Sequence, residues 1–102
     1  MSLVLEHLDI RVKLGDEAEF ELAMSRALKT GMSRAQGMQS WNFRKCVETA
    51  GRYLVEIMWE SIDDHLITYH QGPLSPAFRE IVTPYFSQPP ELVHFELVAA
   101  SG

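Results

Sequence analysis

The side chains of this chain that could hold a metal or exchange a proton include His7, His65, His70 and His94. Histidine is the side chain whose ordinary pKa lies closest to physiological pH. Their spacing speaks against a metal site. No HxH, HExxH or CxxC occurs, and His65 and His70 stand five residues apart. On an α-helix that separation turns the two rings about 140° from each other. There is no glycine-rich phosphate loop and no GxSxG elbow, so no cofactor is expected: no nucleotide, no metal. Cys46 is the single cysteine. It excludes an internal disulfide and fits a reducing cytoplasm, and no base or cation is placed by sequence to activate it. Trp41 and Trp59 carry the largest side chains, suited first to core burial.

These groups must be positioned by a small body. A chain of 102 residues makes one domain and buries roughly 60–65% of the surface its unfolded form exposes. Its core is modest, so help from a partner chain is expected. Apolar residues make up 46%, which is too many for a disordered chain. The net charge of −5 repels phosphate backbones, so nucleic acid is not an expected partner. No apolar run reaches the roughly 18–20 residues of a membrane span. Met1-Ser2-Leu3 has no basic n-region and no apolar stretch behind it, so no secretory signal is expected; these three residues are read as a remnant of cloning.

Val4–Val12 alternates, with Leu8, Ile10 and Val12 on one side and His7, Asp9 and Arg11 on the other, the pattern of a one-sided strand. Asp16 with Glu19 reads as a capping box. Phe20, Met24, Ala27 and Leu28 then form a helical stripe that stops at Thr30-Gly31. Ser40–Glu48 alternates again, and Lys45 on its apolar side suggests an edge strand. After a short Thr49-Ala50-Gly51 connection, Arg52–Trp59 is the clearest strand. Ser61 with Asp64 is a second capping box, opening a helix through His70 that Gly72-Pro73 interrupts. Ser75-Pro76 reads as an N-cap and first helical residue of a helix carrying Phe78, Ile81 and Val82. Gln88-Pro89-Pro90 is a loop before a last strand with Val93, Phe95 and Leu97 on one side and His94 and Glu96 on the other.

The order β-α-β-β-α-β predicts an α+β domain of ferredoxin-like build over residues 1–102, a four-stranded antiparallel sheet with helices on one face. The expected helix-covered face is Leu8, Ile10, Val12, Trp41, Phe43, Tyr53, Val55, Ile57, Trp59, Val93, Phe95 and Leu97. The other face mixes His7, Asp9, Arg11, Asn42, Arg44, Glu56, His94 and Glu96 with Val4, Leu54 and Met58. It suits either solvent or a homodimer in which opposite charges pair across a two-fold axis.

From Tyr53 on, the pattern becomes specific. Tyr53-Leu54-Val55-Glu56-Ile57-Met58-Trp59-Glu60-Ser61 is followed by His65 six after the tryptophan, by Ser75-Pro76-Ala77-Phe78, and by Pro89-Pro90-Glu91-Leu92-Val93-His94-Phe95. From the first strand to Val98 the chain resembles the antibiotic-biosynthesis monooxygenase family of the dimeric α/β-barrel superfamily. The resemblance implies a homodimer through the sheet face, with a pocket in each subunit between sheet and helices. It implies oxygenation of a small phenol or hydroquinone by O2 without metal, flavin or haem. His65 and Trp59 are then the expected catalytic residues, the first taking a phenolic proton, the second stacking on the substrate. Trp41, Phe43, Tyr69, Phe78, Arg79 and His94 are the expected substrate-binding residues, with Arg79 holding a phenolate or carboxylate.

Each of these has a structural alternative. Trp59, Trp41 and Phe43 fit a core, Arg79 fits a solvated surface, and His65 and His94 fit hydrogen bonds that serve packing. Some family enzymes present a polar side chain earlier on the strand of Trp59, where this chain has Val55 and Ile57. That departure favours a rival reading, a non-enzymatic dimeric barrel that binds a small ligand. The asparagine that haem-degrading relatives carry on the first strand is absent, which speaks against haem. Fold analogy alone does not decide between activities.

Overall fold

The computed structural model describes residues 3–102, so the reading of Met1 and Ser2 lies outside the described residues. The order is β1 (Val4–Arg11), α1 (Glu17–Thr30), a 3-10 turn (Met32–Arg34), β2 (Met38–Lys45), β3 (Arg52–Trp59), a π-helical segment (Asp64–Tyr69), α2 (Leu74–Val82), a second 3-10 turn (Thr83–Tyr85) and β4 (Glu91–Glu96). The strands form one antiparallel sheet in the order β2-β3-β1-β4. The expected ferredoxin-like α+β architecture is what is found.

Period-two alternation decides what β1 and β3 bury. Ile10, Tyr53, Val55, Ile57 and Trp59 are almost wholly buried against Phe20, Met24 and Leu28 of α1. Val4 belongs to this helix-facing set too, not to the open face where the sequence reading placed it. Its even-numbered position on β1 makes the face unambiguous. Lys45 sits on edge strand β2 and reaches Glu21 at 3.0 Å, which accounts for a lysine on the apolar side. The hairpin from β2 to β3 closes with the Cys46 N–H donating to the Arg52 carbonyl at 2.8 Å.

Two helix starts differ from the sequence reading. Asp16 stands before α1 without a side-chain cap hydrogen bond; Glu17 turns back to the Gly15 N–H instead. α2 begins at Leu74 behind Pro73, so Ser75 lies within the first turn and is buried. Ser61 does cap: its hydroxyl accepts the Asp64 N–H at 3.2 Å and donates to Asp64 Oδ2 at 3.0 Å.

The parity of β4 is the largest correction. Leu92 pairs with Leu8 and His94 with Glu6, while Val93 pairs with His7 and Phe95 with Leu5. His94 therefore faces the helices. Val93, Phe95 and, beyond the strand, Leu97 are about half or more exposed. Register with β1, not apolarity, sets the face of an edge strand. Two ion pairs on the open face form within the chain, Arg52 with Asp9 at 2.7 Å and Arg44 with Glu56 at 3.4 Å.

Candidate functional site

The site grows from a carboxylate in the wrong place for solvent. Glu6 falls on the helix-facing side of β1 between Val4 and Leu8, and is 4% exposed. β3 runs antiparallel beside it and ends at Trp59, whose indole N–H donates to Glu6 Oε1 at 2.9 Å. β4 flanks it on the other side and places His94 directly opposite.

His65 arrives from above on the π-helical segment. Hydrogen bonds of the i→i+5 type are rare and concentrate at functional sites. Here the His70 N–H donates to the His65 carbonyl, so the rings of residues five apart lie side by side instead of diverging. The two rings lie 5.0 Å apart. The α-helical separation expected for this pair is thus overturned by the wider turn. His65 is 2% exposed. Its ring lies nearly parallel to the Trp59 indole, 5.1 Å away at 12°. Its Nδ1 meets His94 Nε2 at 2.8 Å and its Nε2 approaches Glu6 Oε1 to 3.3 Å. Trp59, Glu6, His65 and His94 are therefore one contiguous cluster.

Burial sets its electrostatics. Desolvation pushes the Glu6 carboxyl up to about 7, with the Trp59 hydrogen bond opposing. Desolvation, aided by His70 and His94, pulls His65 down to about 4. Desolvation also lowers His94. Both members of the Glu6–His65 contact thus move toward their neutral forms, as a water-poor site requires. Near pH 7 the carboxyl is poised between its two states while the imidazole is neutral.

Beside the cluster lies a cavity of about 530 Å³ between sheet and helices, within the range of small-ligand pockets. Leu8, Ile57, Phe78, Val82 and Phe86 supply apolar wall, and Glu6, His65, Tyr69, His70 and Arg79 supply polar groups. Tyr69 is 7% exposed, and its hydroxyl is buried without a hydrogen-bond partner among the described residues. Desolvation, with Glu6 adding to it, raises its pKa well above the ordinary value, so the hydroxyl stays protonated and able to donate.

Of the residues expected from sequence, His65, Tyr69, Phe78 and Arg79 line this cavity. His94 does not line it, and holds His65 from the helix-facing side. Trp59 does not line it either. It is fully buried beneath His65, so it stacks on that imidazole and not on a ligand. Trp41 and Phe43 also lie away from the cavity wall. The Trp41 indole donates to the Ser33 hydroxyl at 3.2 Å, and Phe43 packs edge-on to Phe20 at 5.7 Å. Edge strand β2 is simply too far along the sheet. Glu6 is the residue that sequence reasoning missed. Its signal was a carboxylate in phase with Val4, Leu8 and Ile10.

No family model matches the chain. An uncharacterised protein of Bacillus subtilis strain 168, YczJ, is 26% identical over 94 residues, covering 92% of this chain and 98% of its own. A solved structure from Bordetella bronchiseptica, described as a candidate antibiotic biosynthesis monooxygenase, is 28% identical, with a TM-score of 0.90 over 97% of this chain and all of that one. SnoaB, a cofactor-independent oxygenase from Streptomyces nogalater, shares the fold with a TM-score of 0.81 at 17% identity over 98% of this chain and 97% of its own. The chain therefore has the ferredoxin-like α+β fold of the antibiotic-biosynthesis monooxygenases, and the resemblance read from its sequence holds over nearly its whole length. Among the described residues no helix is long and apolar enough to cross a membrane.

Proposed function

We infer that the protein is a cofactor-independent monooxygenase that acts on a small phenol or hydroquinone with O2. The observation that carries this reading is a buried carboxylate–imidazole pair on the wall of an apolar cavity. Such a pair takes a phenolic proton without help from solvent. The resulting anion is electron-rich enough to pass one electron to O2. Recombination of the radical pair gives a ring hydroperoxide, and loss of water leaves a hydroxyquinone. Hydroquinone plus O2 thus becomes hydroxyquinone plus water. The protein's part is orientation, exclusion of water and management of the proton. SnoaB, of the same fold, is described as a cofactor-independent oxygenase, which supports this reading. A fully side-chain-filled interior would favour a non-enzymatic barrel, and this interior holds a cavity of about 530 Å³.

The test is O2 uptake with a panel of hydroquinones, with and without protein, in air and under nitrogen. Protein-dependent uptake of one O2 per hydroxyquinone formed is expected. Identical slow oxidation with and without protein contradicts the assignment.

The same reading includes a homodimer through the open face of the sheet. Val93, Phe95 and Leu97 expose their side chains there or beside it, and an apolar group of this kind is a natural interface. Light scattering is expected to give twice the chain mass, and Phe95→Glu is expected to halve it. A monomeric wild type at micromolar concentration contradicts the dimer.

A further inference from the structure

We propose that Glu6 is the group that receives the substrate's proton, that the Tyr69 hydroxyl holds the oxygen left behind, and that His65 and His94 position the carboxylate. This rests on the reading of the cavity as a phenol site, and it assigns the proton to an atom.

The geometry separates the two oxygens of Glu6. Oε1 is engaged by the Trp59 N–H at 2.9 Å and faces His65 Nε2 at 3.3 Å. Oε2 has no hydrogen-bond partner among the described residues and belongs to a residue that lines the cavity. His65 is committed at both nitrogens, to His94 through Nδ1 and to Glu6 through Nε2. Its ring stacks on Trp59 and lies 5.0 Å from the His70 ring, so swinging a nitrogen toward a ligand breaks the stack on Trp59. Of the two bases, the carboxylate is also the stronger, since burial raises Glu6 to about 7 and lowers His65 to about 4. The groups facing Glu6 are His65 and Tyr69 from the π-helical segment, Trp59 from β3 and His94 from β4, with His70 and Arg79 around the cavity.

Tyr69 supplies the complement. Its hydroxyl is enclosed and has no partner among the described residues, and Tyr69 lines the same cavity as Glu6, so an oxygen of a ligand seated deep in that cavity is the partner the hydroxyl lacks. The step moves one proton and no electrons. The O–H bond of the phenol breaks, its electron pair stays on oxygen, a new O–H bond forms at Glu6 Oε2, and the Tyr69 O–H donates to the phenolate.

The probe is 4-nitrophenol, whose neutral and ionised forms absorb at different wavelengths, titrated into protein under nitrogen between pH 5 and 9. With wild type the bound probe and Glu6 share one proton, so the probe is expected to ionise in two coupled steps around pH 7, whereas in Glu6→Gln a single step is expected. Glu6→Asp is expected to restore the coupling in part. Tyr69→Phe is expected to weaken binding by about threefold to tenfold, the worth of one hydrogen bond. His94→Gln, which loosens His65 and through it the carboxylate, is expected to change the phenolate fraction by less than Glu6→Gln does. Equal ionisation in wild type and Glu6→Gln overturns the proposal. So does loss of ionisation in His94→Gln alone, or no binding of the probe at millimolar concentration. Glu6-dependent ionisation without O2 uptake by any hydroquinone would leave the proton assignment standing and remove the monooxygenase. O2 uptake that survives Glu6→Gln would do the reverse.

Discussion

Glu6→Gln is expected to lose activity and gain stability, and the gain is expected to grow with pH. In the native state the Glu6 carboxyl titrates at about 7, above its ordinary value of 4.5. A raised carboxylate pKa means the folded chain holds its proton after the unfolded chain has released it. Below pH 4.5 both states are protonated and Glu6 has no effect. Between 4.5 and 7 the unfolded state ionises first, and stability falls until both are ionised. The full loss is about 3 kcal/mol. A glutamine has no such loss and still offers an oxygen to the Trp59 N–H. Denaturation at pH 5 and pH 8 is therefore expected to show variant and wild type close together at the lower pH. At the higher pH the variant is expected to lead by about 3 kcal/mol. Removing a general base costs about 10²- to 10⁴-fold in rate, so the same change is expected to lower kcat/KM by that factor. This is the usual exchange between stability and function at a strained site. A stability difference independent of pH would mean that Glu6 is not poised as described.

Trp59 gives the second large effect, through two substitutions that separate its roles. Trp59→Ala removes a fully buried indole that stacks on His65 and packs against Tyr69 at 5.5 Å. A cost of about 3–5 kcal/mol is expected, a large share of the ~5–15 kcal/mol that holds a small domain together. Trp59→Phe keeps a stacked ring and removes only the N–H that donates to Glu6. That hydrogen bond lowers the Glu6 pKa, so without it Glu6 is expected to ionise at a higher pH. The acid limb of the kcat/KM profile is expected to move up in pH, with KM changed little. If Trp59 instead stacked on the substrate, Trp59→Phe would alter KM and leave the limb in place.

The sequence was most legible where burial enforces one period over a whole strand. β3 is flanked by strands on both sides and its face was read correctly residue by residue. β4 is an edge strand whose apolar residues face away from the helices, so the same rule pointed the wrong way and carried His94 with it. Only the register with β1 places His94 opposite Glu6, and register is a long-range property. His65 was found because its distance from Trp59 is a recognisable pattern. Its partnership with His70 was not, because α-helical geometry was assumed where a π-helical turn brings the rings together. Glu6 was passed over because a single carboxylate in an alternating strand looks like surface until the neighbouring strands are in place. Trp41 and Phe43 are apolar and helix-facing as expected, but the sequence does not say how far along a sheet a cavity extends.

The most direct test is the titration of the Glu6 carboxyl itself. Carbon-13 NMR of protein labelled at glutamate side chains follows each carboxyl through its ionisation, and Glu6→Gln identifies the resonance that disappears. A midpoint near pH 7 is expected, well above the ordinary carboxyl value of 4.5. A Glu6 midpoint near 4.5 would contradict the account, because an ordinary carboxylate there has neither the burial nor the basicity that proton transfer in this cavity requires.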